Sequence, residues 1–441
     1  MTHSIEHDRH AQLLLGTGED LSFDEARRRL ESAAMVLTAD DAARTPWGQA
    51  ALLSIAACGT RIFRGGVFVR GDLDTPTIVG SWPGFPLRRL LKESGCRFEN
   101  IPSHACELHI GATRSTTPDT LYCWASGWSA WVSARPSENT DVPGNELSGV
   151  LAGAMGVSEV FRRVVLNDIR AGKKTLTLSA LAPGLDATAD TQLDFLPEDL
   201  WLIGLGNLGQ ATLWTLGMLP YRDTGSVHLM LQDGDISGLE NMETQVLTQP
   251  GWVGNVKARM TAQWAEQRGF RTKICERRFA ADTRPQQGEP RLALVGVDNV
   301  ETRRLAAHAD FDLILDAGLG ATSPEIFDLR LHGFPGRRDA AAAWPAVANA
   351  ASVAPGREHQ KLINDGRLSI CGSAEIAGRQ VATPFTAMAA AAIQVAQACR
   401  AISTGEYCDL IDVTLSDTQN AFSSSVSIPR QGMLRFQDSR R

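Results

Sequence analysis

The chain has 441 residues, 43% of them hydrophobic and 21% charged, with a net charge of -7, values ordinary for a globular protein long enough for two or three domains. The acidic balance, with no basic run beyond Arg27, Arg28 and Arg29, argues against a nucleic-acid binder held by phosphate contacts, and those three arginines read as a solvated helix face. Eight cysteines without a CxxC pair argue for reduced thiols rather than a disulfide framework or a four-thiolate zinc site.

The segment MTHSIEHDRHAQ is polar and lacks the apolar core of a secretory signal. The longest apolar run, about Ala387 to Ala396, is too short and too interrupted to span a bilayer, so a cytoplasmic protein without membrane partners is expected. Phe23 to Met35 has helical periodicity behind a Ser22 or Asp20 cap, and Pro46 to Cys58 predicts a second helix opened by proline. Gly65 and Gly66 lead into a short strand, Val67 to Val69. Aromatic and small residues alternate over Leu121 to Val132, as in a buried strand or hairpin. A helix over Asn145 to Val165 and a strand over Lys174 to Ala180 complete an α/β pattern that has no phosphate loop. His104, Cys106 and His109 are of zinc-ligand type but lack a fourth ligand at a suitable spacing, so they read as strand or loop residues. The polar, proline-bearing stretch 187–200 marks a boundary, giving domains 1–195 and 196–441.

Next comes LWLIGLGNLGQATLWTLGML, Leu200 to Leu219, an apolar strand that turns through glycines directly into a helix. Gly204 allows the tight turn, Gly206 lets backbone approach a phosphate, and Gly209 lets the helix pack close to the strand with its N-H groups toward an anion. The turn alone does not choose between ATP and a dinucleotide. Ser226 to Gln232 reads as the second strand, and Asp233 at its end is placed to accept both ribose hydroxyls.

The motifs downstream of that strand have no use in a dinucleotide site. The DGD of Asp233 and Asp235, the ENMETQ with Asn241 and Gln245, the VGNVK ending in Lys257, the DN of Asp298 and Asn299 with Arg303, and LILDAGLG (Leu313 to Gly320) come in order. Together they resemble the adenylating superfamily of ubiquitin-activating enzymes and their ThiF/MoeB relatives, over roughly residues 196 to 400. The resemblance implies a Rossmann-like adenylation domain with the ribose on Asp233 and Asp235 beside it. It further implies Asn241 on a phosphate oxygen, Lys257 as the cation at the α-phosphate, and Asp298 holding Mg²⁺ against the phosphates of ATP. A carboxylate nucleophile is already anionic, so such a site works by positioning and charge neutralisation.

The sequence departs from the family at Thr244, where an arginine would contact the triphosphate. Lys257, Arg259 or an arginine of the N-terminal half are candidates to compensate, and HDRHAQLLLG resembles the family's N-terminal element, which nominates Arg9. Family members work as paired domains, so the first half, which lacks the glycine phosphate loop, resembles a degenerate, inactive adenylation-like domain. The chain would then be a pseudo-dimer, with a homodimer also open. A loop-rich crossover segment, about 330–385, carries Cys371 as the candidate thioester nucleophile, with a small core cysteine as the alternative.

Within the superfamily the layout looks most like the activating enzyme of bacterial ubiquitin-like conjugation operons of the Bil type, linked to anti-phage defence. That resemblance implies a ubiquitin-like substrate and a conjugating-enzyme partner. The alternatives are a sulfur-carrier or peptide adenylyltransferase without a catalytic cysteine, and a non-catalytic nucleotide-fold scaffold, which Thr244 favours.

Overall fold

A computed structural model describes residues 8–16, 21–71, 73–80, 82–115, 117–137, 142–184, 194–320, 322–345, 361, 364–365, 382–427 and 434–438. The N-terminal half runs α1 (Arg9–Leu15), α2 (Phe23–Ser32), β1 (Ala34–Ala39), α3 (Pro46–Ile62), β2 (Gly66–Val69), α4 (Leu87–Glu93), β3 (Cys106–Ile110), β4 (Leu121–Ser126), β5 (Ser129–Ser133), α5 (Glu146–Val164) and β6 (Leu176–Ser179). The C-terminal half runs β7 (Phe195–Pro197), β8 (Asp199–Ile203), α6 (Asn207–Met218), β9 (His228–Gln232), α7 (Asn241–Thr244), α8 (Lys257–Glu266), β10 (Arg271–Cys275), β11 (Leu292–Val295), α9 (Val300–Ala307), β12 (Leu313–Leu319), β13 (Asp328–Phe334), α10 (Ala340–Ala343), α11 (Pro384–Thr404), β14 (Glu406–Thr414), β15 (Phe422–Ser427) and β16 (Phe436–Asp438).

The two halves are wired alike. One sheet has the order β2-β1-β3-β4-β5-β6; the other, β10-β9-β8-β11-β12-β13-β14-β15, contains the same six-strand pattern with one further strand at each edge. In each half the first four strands of that pattern are parallel and the last two join antiparallel. Strands such as AMVL in β1 and LALV in β11 are buried on both faces, as helix-covered parallel strands require. The fold is thus α/β throughout. Between the halves, α11 packs against α5 and α6, α3 packs against α5, and one continuous apolar core crosses the boundary.

Local signals explain the helix starts. Ser22 and Glu25 form a capping box on α2, Asn145 and Ser148 one on α5, and Thr45 and Thr383 cap α3 and α11 ahead of prolines that need no N-H partner. α11 ends on Gly405 in the left-handed region.

Four sequence expectations change. The helix expected over Phe23 to Met35 stops at Ser32, and Met35 lies in β1, where both faces of the strand bury apolar side chains. Of the three arginines only Arg28 is exposed; Arg27 and Arg29 are half-buried, Arg27 donating to Asp8 at 3.1 Å and Arg29 to the Val165 carbonyl at 3.1 Å. The apolar run near Ala387 belongs to a 21-residue helix that is long and apolar enough to cross a membrane, but 89% of its most apolar window is buried inside the protein. Arg330 lies within β13, so the loop-rich crossover starts only after Phe334. Much of that crossover, with Cys371, lies outside the described residues. The other seven cysteines are free thiols, and Cys275 closes β10 while Cys399 and Cys408 are buried in α11 and β14.

The α3–α5 contact depends on small residues. A Cβ at Gly149 would lie 2.1 Å from the Trp47 carbonyl oxygen, and backbone there has no rotamer by which to yield. Gly149→Ala is expected to cost about 1–3 kcal/mol by overpacking, read as a lower midpoint in thermal or urea denaturation. An unchanged midpoint would show that the helices can separate without penalty.

Candidate functional site

The glycine turn sits between the ends of the two strands that flank β8. Gly204 has φ +85°, and a Cβ there would meet Val297 Cγ1 at 2.8 Å and the Gly296 carbonyl oxygen at 3.0 Å. A Cβ at Gly209 would lie 1.9 Å from the Gly204 carbonyl oxygen, so the helix rests on the turn itself. Gly206 differs, because a Cβ there would meet nothing within 4 Å. It caps α6 with no side-chain acceptor for the first-turn N-H groups, leaving an open, donor-rich face of the kind that receives phosphate.

Asp233 fastens the turn. Its Oδ2 accepts from the Leu205 N-H at 2.7 Å and its Oδ1 from the Asp235 N-H at 2.7 Å. A carboxylate has about four acceptor positions, so two remain for other donors. Burial pushes the Asp233 carboxyl up, against the pull of the Lys257 charge and the two backbone N-H groups. Lys257, buried at the start of α8, reaches Asp235 at 3.4 Å, and Arg278 reaches the other Asp235 oxygen at 3.1 Å. Burial opposes ionisation of Asp235, but those two cations hold its carboxyl below the usual range. Asp298 lies just beyond Gly296 and Val297 at the end of β11; it is exposed, and its carboxylate makes no hydrogen bond or ion pair among the described residues. Arg303 secures this loop by donating to the Val297 carbonyl and to Asp316, whose carboxyl burial raises to about 6 against the pull of Arg303.

The middle segment is tied to the turn and to the N-terminal half. Gln210 on α6 donates to the Leu205 carbonyl oxygen at 3.2 Å and to Gln245 Oε1 at 2.7 Å. Asn241 starts α7, with its side-chain oxygen accepting from the Gly238 N-H at 2.9 Å; Thr244 is buried on the same helix. From the N-terminal half, Arg61 donates to the carbonyls of Gln245, Val246 and Thr248 at 2.8, 2.7 and 3.0 Å. Arg64 bridges Asp8 at 2.5 Å and Glu243 at 3.0 Å, and Glu243 accepts from the Arg9 N-H at 2.9 Å. The Arg9 guanidinium lies 3.9 Å from Glu240, at the start of α7. Arg259 is taken up by Glu276, with Nη2 at 2.9 Å from Oε2.

The structure therefore gathers Gly204, Gly206, Gly209, Asp233, Asp235, Lys257 and Asp298 around one turn, and sets Arg9 and Asn241 at α7. Arg61, Arg64, Glu243 and Gln210 were not singled out from the sequence, since their partners are far along the chain. Arg278 had a local signal, the Arg277-Arg278 pair just beyond β10. Among the described residues no cluster of three or more His, Cys, Asp or Glu side chains is arranged to hold a metal, and His109 instead bonds Thr38 at 2.9 Å.

The corresponding place in the N-terminal half is closed. Asp40, just after β1, accepts from the N-H groups of Ala42, Ala112 and Thr113 at 2.8, 2.9 and 2.9 Å. Burial opposes its charge, but those donors and His109 at 3.9 Å hold its carboxyl well below the usual range. A side-chain anion thus sits after β1, where the other half has its glycine turn after β8.

A bacterial E1-like protein BilD from Collimonas sp. (strain OK412) is 31% identical over 438 residues, covering 95% of this chain and 94% of that protein. The chain belongs to the BilD family. The model of the BilD N-terminal domain matches residues 33–180 and that of the BilD C-terminal domain residues 196–405. Membership in the BilD family bears out the Bil-type resemblance drawn from the layout of the chain. Among solved structures, E. coli MccB matches at 12% identity and a TM-score of 0.34, over 54% of this chain and 64% of that one. The selenomethionine form of PaaA matches at 15% identity and a TM-score of 0.30, over 52% and 64%. The chain thus spans under two thirds of these solved relatives.

The geometry makes two outcomes measurable. Gly206→Ala has room for its methyl group and is expected to keep wild-type stability while losing nucleotide affinity, whereas Gly209→Ala is expected to lower stability; titration calorimetry and melting curves separate the two effects. Burial raises the Glu243 carboxyl from 4.5 to about 7, against the pull of Arg64, so its protonated form favours the folded state. That stability is complete below the unfolded value and lost as pH rises through about 7. The stability of the wild type relative to Glu243→Gln is therefore expected to fall between pH 5 and about 7. A pH-independent difference would show that Glu243 does not titrate there.

Proposed function

We propose that the C-terminal half uses ATP to adenylate the C-terminal carboxylate of a ubiquitin-like protein, with the thioester then formed on Cys371 and passed to a conjugating enzyme. The carrying observation is the convergence of an open, uncapped glycine turn with a buried lysine and the exposed carboxylate of Asp298. Family membership supports the same reading, because the Collimonas relative is named an E1-like protein.

The residues fit these roles. The donor-rich face at Gly206 receives phosphate oxygens, and the free acceptor positions of Asp233 suit ribose hydroxyls. Lys257, poised on Asp235, is a cation that can neutralise charge developing at the α-phosphate. Asp298 offers a hard oxygen ligand, consistent with Mg²⁺, which takes one or two carboxylates together with substrate phosphates. The metal, when bound, would supply charge neutralisation and orientation of the phosphates. A carboxylate oxygen of the carrier bonds to the α-phosphorus as pyrophosphate leaves. A thiolate then attacks the acyl carbon and releases AMP, the carrier keeping its acyl carbon on sulfur. Arg9, with the guanidinium at the start of α7, is the residue we assign to offset Thr244.

The test is carrier-dependent exchange of labelled pyrophosphate into ATP, using small glycine-ended proteins encoded beside this gene. Lys257→Ala and Asp298→Ala are expected to lower exchange by about 10²–10³-fold, whereas Cys371→Ala keeps exchange and loses the thiol-sensitive adduct. Absence of exchange with every such carrier contradicts adenylation, and a thiol-sensitive adduct that survives Cys371→Ala removes Cys371 from the mechanism.

A further inference from the structure

A cavity of about 930 Å³ opens between the two halves, and none of the residues assigned to the nucleotide lines it. One wall is a cluster of three indoles: Trp82 and Trp214 have ring centroids 5.4 Å apart, Trp82 and Trp264 6.1 Å, and Trp214 and Trp264 6.3 Å. The Arg268 guanidinium lies over Trp264, 3.7 Å from its centroid, and over Trp82 at 4.7 Å. A second guanidinium, Arg61, enters from α3.

Neither cation has an acid partner among the described residues. Arg268 donates through Nη1 to the Trp264 carbonyl at 2.8 Å, and its Nε is buried without any acceptor. Arg61 spends Nε and Nη2 on three backbone carbonyls, and its Nη1 makes no hydrogen bond among the described residues. The acids that line the cavity face other cations: Glu243 is held by Arg64 at 3.0 Å, Glu93 by Arg89 at 2.7 Å, and the exposed Glu31 acts on Arg64. Burial draws both guanidiniums down to about 10, which is the mark of desolvated cations with too little counter-charge. Two such cations beside open donors are an electrostatic deficit that an anion relieves. Trp82, half-buried, lines the cavity with the more deeply buried Trp214 and Trp264, an aromatic wall that suits a flat ring, and the volume is that of an ordinary small-molecule site.

We propose that this cavity binds a small organic anion carrying a flat aromatic ring, with Arg61 and Arg268 as partners of the anionic group and the indoles against the ring. The binding is independent of the adenylation reading and is measured without turnover. The probe is 8-anilinonaphthalene-1-sulfonate, an aromatic sulfonate, with the uncharged N-phenyl-1-naphthylamine as its counterpart, in fluorescence titrations of the full chain. One sulfonate per chain is expected, with affinity at least tenfold weaker in Arg268→Met and recovered in Arg268→Lys. The uncharged dye is expected to be indifferent to both substitutions, and Lys257→Ala to leave the sulfonate bound. Equal affinity of the sulfonate for wild type and Arg268→Met overturns the proposal, as does its loss in Lys257→Ala, which would put the probe in the nucleotide site. Should Arg268→Met fail to fold, a co-crystal of the unaltered protein decides: the sulfonate is expected at Arg61 and Arg268, and a sulfonate found elsewhere overturns the assignment.

Discussion

The carboxylate of Asp233 bonded to the backbone of Leu205 and Asp235 is the contact on which the rest of the site depends. It draws the glycine turn onto the end of β9, fixes the chain that carries Asp235 toward Lys257, and leaves Gly206 facing outward. The other side of the turn is set by close approach. Gly204 lies against Gly296 and Val297, so the loop bearing Asp298 is carried to the same place. A turn that needs a left-handed residue at one end and a bare backbone at the other leaves little freedom in sequence.

The same strand order is built twice, and one carboxylate separates the two outcomes. In the C-terminal half the aspartate lies on the neighbouring strand, and the helix N-terminus stays open. In the N-terminal half Asp40 stands on the turn itself and accepts three backbone N-H groups. The first half keeps a structural part in the site, because Arg61, Arg64 and the helix that carries Arg9 hold the segment around α7. Much of the coupling between halves is thus arginine to backbone or to buried carboxylate, reinforced by the apolar contact of α11 with α5.

Much of the chemistry was legible in the sequence because it is local. A strand, three glycines and a helix announce the turn, and the DGD, VGNVK and DN runs place Asp233, Lys257 and Asp298 on successive motifs around it. What could not be read is what folding brings together over long separations. The Arg64 bridge to Glu243 spans 179 residues, and nothing local to Arg64 or Arg61 marks their partners. Helix propensity carried the reading of Phe23 to Met35 past Ser32, although burial in the sheet decides what Met35 does. Composition could not separate α11 from a membrane span, since core helices and spans share it; only the surrounding α5, α6 and β12 make the distinction.

The central claim is that the glycine turn after β8 is open to nucleotide, whereas the turn after β1 is filled by its own aspartate, Asp40. Equilibrium dialysis with labelled ATP and Mg²⁺ tests it directly as a stoichiometry per chain. The account predicts one bound ATP, lost in Lys257→Ala and kept in Asp40→Ala. Two ATP molecules per wild-type chain, or one that persists when Lys257 is replaced, would contradict it.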